Sequence, residues 1–101
     1  MRQTVTFISY VDIHEWPLSV SMDCEFEAIV DRTPATFDTP GETVVECIRI
    51  NRVRCVTTTM NGAKLSNGEP SNQAAAITEI HGFIRENERT RERLERMAVE
   101  S

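Results

Sequence analysis

The two histidines and three cysteines of this chain, His14, His81, Cys24, Cys47 and Cys55, are the side chains that would anchor a zinc site or supply a thiol nucleophile. A zinc site would gather such ligands in local pairs, because neighbouring ligands on one turn reduce the entropy lost when the site closes. No C-x-x-C or H-x-x-x-H spacing occurs, and the two histidines lie far apart in the chain. A metal centre is therefore not expected. Cys24 stands between Met22 and Phe26, and Cys47 follows Val45, so both read as small buried hydrophobes. Only Cys55, beside Arg54, has the electropositive neighbour that would activate a thiol. The chain has four glycines and no glycine-rich phosphate loop. No Ser, His and Asp arrangement is evident. These residues point away from an enzyme and call for no cofactor.

The carboxylates are more informative. Nine acidic residues lie between Asp12 and Glu46, against the single base Arg32, so −9 + 1 = −8 falls within about a third of a chain whose formal charge is −5. Within this stretch Asp23, Glu25 and Glu27 alternate with Cys24, Phe26 and Ala28. Alternate side chains on a strand share a face about 6.6 Å apart. Three carboxylates so spaced resemble a short row of phosphates, which Glu42 and Glu46 on a neighbouring strand would broaden. Such a surface would attract a protein groove lined by lysine and arginine. Residues 49–64 carry Arg49, Arg52, Arg54 and Lys64 and no acid. Those arginines offer a second reading, in which they pair across the sheet with the carboxylates and merely support register. A polar outer face is also what any one-sided sheet requires.

Strands and helices must position these charges. "TVTFISYVDI" alternates as a first strand with Val5, Phe7, Val11 and Ile13 inward, and Pro17 interrupts it. Leu18 to Val30 is the clearest strand, roughly 40 Å if fully extended. Pro40-Gly41 has the order of a type II turn. Thr43 to Thr58 follows as a β-branched strand whose alternation slips. Val45 and Cys47 share one phase with Val53 and Cys55, while Ile48 and Ile50 take the other, so a bulge near Arg49 to Arg52 or a doubly covered strand is expected. Met60-Asn61-Gly62-Ala63 signals a type I′ hairpin into a short fourth strand. A helix begins near Ser71 or Asn72, with Ile77, Ile80, Phe83 and Ile84 as its apolar stripe and Gly82 beside it. Beyond Arg85 only Leu94 and Met97 are large and apolar, so a solvated extension supported by Arg91–Glu95 and Glu92–Arg96 pairs is expected.

The expected fold is α+β: a three- to four-stranded antiparallel sheet with one C-terminal helix packed on one face. Residues 1–101 form a single domain, with the sheet in 1–66 and the helix in 71–99, its charged end exposed to solvent. No apolar run is long enough for a bilayer span, and the N-terminal alternation does not read as a signal peptide. An odd number of cysteines then predicts free thiols in a reducing cytoplasm.

The segment "CEFEAIVDRTPATFDTPGETVVECIRI" resembles a pattern among small uncharacterised phage and prophage proteins. The likeness rests on Glu25, Phe26, Glu27, Pro34, Ala35, Pro40, Gly41 and the strand from Val44 to Ile50. It implies phage origin, hence the host cytoplasm, and small acidic phage proteins commonly act by binding a host protein. Anti-CRISPR and other anti-defence inhibitors are the best-known class. The reading that follows is a small acidic non-enzymatic inhibitor of a host nucleic-acid-handling complex. Asp23, Glu25, Glu27, Glu42 and Glu46 would be its contact charges, with Trp16 and Phe37 as apolar anchors. A nucleic-acid-binding or regulatory module using Arg49, Arg52, Arg54 and the arginine-rich helix is the alternative, disfavoured by the acidic balance. A homodimeric structural protein, joined through a sheet edge or helix, is the third reading.

Overall fold

The computed structural model describes every residue from Met1 to Ser101. Four strands, β1 (Arg2–Glu15), β2 (Leu18–Thr33), β3 (Glu42–Met60) and β4 (Ala63–Gly68), precede two helices, α1 (Gln73–Glu86) and α2 (Glu88–Glu100). The strands form one antiparallel sheet in the order β1-β2-β3-β4, so each follows its neighbour through a hairpin or loop. The fold is thus α+β, with four strands and with two helices where one was expected.

Period-2 alternation accounts for the first two strands. Val5, Ser9 and Val11 on β1 and Met22, Cys24, Phe26, Ala28 and Val30 on β2 are buried under the helices. Phe7 stacks on Phe26 with ring centroids 5.3 Å apart. The turn between these strands, Trp16-Pro17, contains a cis peptide bond with Pro17 in the position a type VI turn requires. At the other hairpin Asn61 (φ 52°) and Gly62 (φ 84°) both take positive φ, as the type I′ reading expects. The type II reading of Pro40-Gly41 does not hold, since Gly41 is not in the positive-φ region. A Cβ there would stand 3.1 Å from Thr33 O and Ala35 N, so close backbone approach is what calls for glycine.

β3 needs nineteen residues to pair with the sixteen of β2, and three β-bulges take up the difference. Glu46, Asn51 and Arg54 are the inserted residues. Each insertion re-phases the strand, so Val45, Ile48, Ile50, Val53 and Val56 all face inward despite their uneven spacing. Cys47 and Cys55 consequently point outward. Cys47 is exposed, contrary to its expected burial.

Asn72 caps α1 by accepting a hydrogen bond from Ala75 N at 3.1 Å. The next side chain, Gln73, behaves like a strand residue. Its Oε1 accepts from Val53 N at 3.0 Å and its Nε2 donates to Val53 O at 2.7 Å. The β3 edge is thereby satisfied between two bulges, and the start of α1 is fixed against it.

The single helix expected over residues 71–99 is broken at Asn87, which is extended (φ −112°, ψ 97°). Its N–H donates to Phe83 O at 2.9 Å, closing α1, and its Oδ1 accepts from Thr90 N at 3.0 Å, opening α2. The break lets α2 turn back onto the sheet. Leu94 and Ala98 are fully buried there, so α2 is part of the core and not a solvated extension. Neither Arg91–Glu95 nor Glu92–Arg96 closes as an ion pair. Arg93 instead donates to Ser9 Oγ at 2.9 Å, and Arg32 reaches from β2 to Val99 O at 2.6 Å.

The molecule measures 57 × 23 × 19 Å, with a radius of gyration of 16.1 Å. A compact chain of this length would have about 13 Å. Only 15 of 101 residues are buried. The length of the strands stretches the molecule, and the helices cover only one face of the sheet. No helix is long and apolar enough to cross a membrane.

Candidate functional site

The uncovered sheet face carries the carboxylate row of β2 and the arginines of β3. Its side chains follow from two registers. Across the two-residue Trp16-Pro17 turn, paired residue numbers on β1 and β2 sum to 33, which sets Ile8 opposite Glu25 and Tyr10 opposite Asp23. Between β2 and β3, Glu27 faces Arg49 and Glu25 faces Arg52, but Asp23 faces Cys55. The bulges decide this. The extra residue Asn51 brings Arg52 into the outward row beside Glu25. The extra residue Arg54 then delivers Cys55 to Asp23 in place of an arginine.

The ladder is therefore split between its two readings. Glu27 is taken by Arg49 in a short ion pair. Arg2 grips Glu46 through two hydrogen bonds, Nε to Oε2 at 2.8 Å and Nη2 to Oε1 at 3.0 Å. This bond and the Glu46 charge raise the Arg2 pKa above its ordinary value. Glu25 has only a long contact, 4.0 Å to Arg54 Nε, because Arg52 turns away to Glu69 at 2.9 Å. Asp23 has no ion-pair partner, and neither has Asp12 on the adjoining strand. Toward Glu42 the carboxylates Glu27, Asp31 and Glu46 are paired and only Glu42 itself is not, whereas toward the Trp16 turn Asp12 and Asp23 are both unpaired.

The apolar anchors do not come together. Trp16 and Phe37 are both exposed, at 86% and 103%, but they flank opposite ends of β2. Sixteen residues of strand put them about 50 Å apart. Glu42 lies with Phe37 at the far end, remote from Asp23. What remains near Asp23 is a compact group of Asp12, Asp23 and Glu25 around the half-exposed Ile8 and Tyr10. Arg93 reaches round the β1 edge, donates to Tyr10 O and lies 4.5 Å over the Tyr10 ring, which fixes that side chain. No protein-family model, curated protein or solved structure matches this chain.

Ile8, Tyr10 and Asp12 were not among the expected contact residues. Their signal is the outward phase of β1 together with a two-residue turn, which sets the register of Tyr10 against Asp23. The thiol and imidazole groups make no centre. His14 Nδ1 lies 2.7 Å from Ser19 Oγ, and Cys55 Sγ lies 2.8 Å from Asn67 Oδ1. No three His, Cys, Asp or Glu side chains gather to hold a metal ion.

Proposed function

We propose that this protein is a non-enzymatic binding protein whose open sheet face docks a basic surface on a protein partner. The observation that carries the reading is the free pair Asp12 and Asp23, set beside exposed Ile8 and Tyr10 on a face with no covering layer. An apolar centre rimmed by unpaired carboxylates suits a partner surface with an apolar patch ringed by lysine or arginine. The strand row as a full phosphate imitation is reduced to this patch, since Arg49 neutralises Glu27 and Arg2 neutralises Glu46. The resemblance of residues 24–50 to phage accessory proteins supports a host nucleic-acid-handling protein as the partner and inhibition as the outcome.

Affinity capture from host lysate tests this. The Asp12→Lys/Asp23→Lys variant should lose the captured partner, while Asp38→Lys/Glu42→Lys, at the other end of the molecule, should keep it. Retention of the same partner by the first variant, with its circular dichroism unchanged, overturns the reading. The arginine-based alternative has less support, because Arg49 and Arg52 are already engaged by Glu27 and Glu69. A gel-shift titration that found salt-sensitive DNA or RNA binding would favour it instead.

A further inference from the structure

The two edges of the sheet are built differently. The β3 edge carries three bulges, the charges Glu42, Glu46, Arg49, Arg52 and Arg54, a glutamine bridge at Val53 and the covering strand β4. These are the devices by which sheets prevent pairing with other chains. The β1 edge lacks most of them. From Gln3 to Val11 it has no charged residue and no proline, and its pairing with β2 runs without a bulge.

The backbone of this edge is available in a definite phase. Arg32 N donates to Met1 O at 2.9 Å, which makes Met1 and Arg32 a hydrogen-bonded pair. In an uninterrupted antiparallel ladder the even-numbered residues of β1 then direct N–H and C=O away from β2. Tyr10 O agrees, since Arg93 reaches it from outside the sheet. That arginine is the one guard on this edge, and it closes the edge at Tyr10. Arg2, Thr4, Thr6 and Ile8 remain, with outward donors and acceptors in a row.

We infer that β1 pairs antiparallel with β1 of a second copy of this chain, joining two four-stranded sheets into one of eight. The strand suits itself as a partner. With the two-fold axis at Val5, Thr4 meets Thr6 of the second copy and Val5 meets Val5, with no like charges opposed. An isologous pairing of this kind consumes both β1 edges and stops, because the opposite edge of each copy is guarded along β3 and otherwise consists of the six-residue strand β4, too short to template a long ladder. The inference rests on the backbone of the edge and not on the acidic face, with which it shares only Ile8.

Sedimentation velocity over a dilution series tests it. The wild-type chain should sediment at twice 11.5 kDa. Thr6→Pro should sediment as the monomer, because the lost N–H points away from β2 and the internal ladder is left intact. Thr6→Lys, which places a charge beside its own symmetry mate, should do the same and guards against a folding defect peculiar to proline. Circular dichroism establishes that each variant is folded. A wild-type monomer throughout the series, or folded variants that both stay dimeric, overturns the inference.

Discussion

At the scale of single residues, the three thiols occupy three different environments. Cys24 is fully buried beside Phe26, and burial, with a smaller contribution from the Asp23 charge, pushes its pKa up to about 12. Cys47 is exposed, and Cys55 is half-buried and hydrogen-bonded to Asn67. A thiol-specific reagent should therefore label Cys47 first in the folded protein and Cys24 only after unfolding. The raised pKa also sets a pH dependence. A thiol held protonated in the fold costs nothing below its unfolded pKa, near 9.0, and destabilises the fold progressively as pH rises from there to about 12. Cys24→Ala should flatten that alkaline decline, measured as urea midpoint against pH, while lowering stability near neutrality through the lost packing. Inward Cys24 is legible from its alternating neighbours. Outward Cys47 is not, because its phase depends on the bulge at Glu46.

At the scale of elements, local signals explain where helices start and stop better than they explain where the helices go. Of the two candidate caps, Ser71 and Asn72, it is Asn72 that caps α1. Gly82 is exposed within α1, and nothing lies within 4 Å of where its Cβ would be. Gly82→Ala should thus raise stability by about 0.5–1 kcal/mol, the helix-propensity difference with no packing offset, read from chemical denaturation. Asn87→Ala should lower it by about 1 kcal/mol, since Ala cannot accept the Thr90 N–H. The strands were legible through their period, and so was the slip in β3. That three bulges absorb the slip follows from the apolar set Val45, Ile48, Ile50, Val53 and Val56 needing one common face. Their positions also depend on which face the helices cover.

At the scale of the whole molecule, a thin sheet has little core to spare. The main cluster draws on β1, β2, β3, α1 and α2 together, and Leu94 is the large α2 side chain within it. Leu94→Ala should cost about 2–5 kcal/mol in urea-denaturation stability, a large share of what a domain of this size possesses. A loss below about 1 kcal/mol would mean that α2 frays in solution, as its charge composition by itself suggests. The same thinness leaves an entire face uncovered and one long edge guarded only at Tyr10. The proposed docking and pairing surfaces are those two features.

The sequence by itself determined the inward sets of β1 and β2 through their period, the Asn61-Gly62 hairpin, a helix start at Ser71 or Asn72, and the concentration of acid between Asp12 and Glu46. These are local properties, set by φ/ψ preference and by which side chains avoid water. Only the tertiary structure decided which carboxylates are free. Glu27 and Asp23 have the same pattern of neighbours, yet one faces Arg49 and the other Cys55. The physical reason is register: each bulge moves the facing strand by one residue, and one residue is the difference between an ion pair and an open carboxylate.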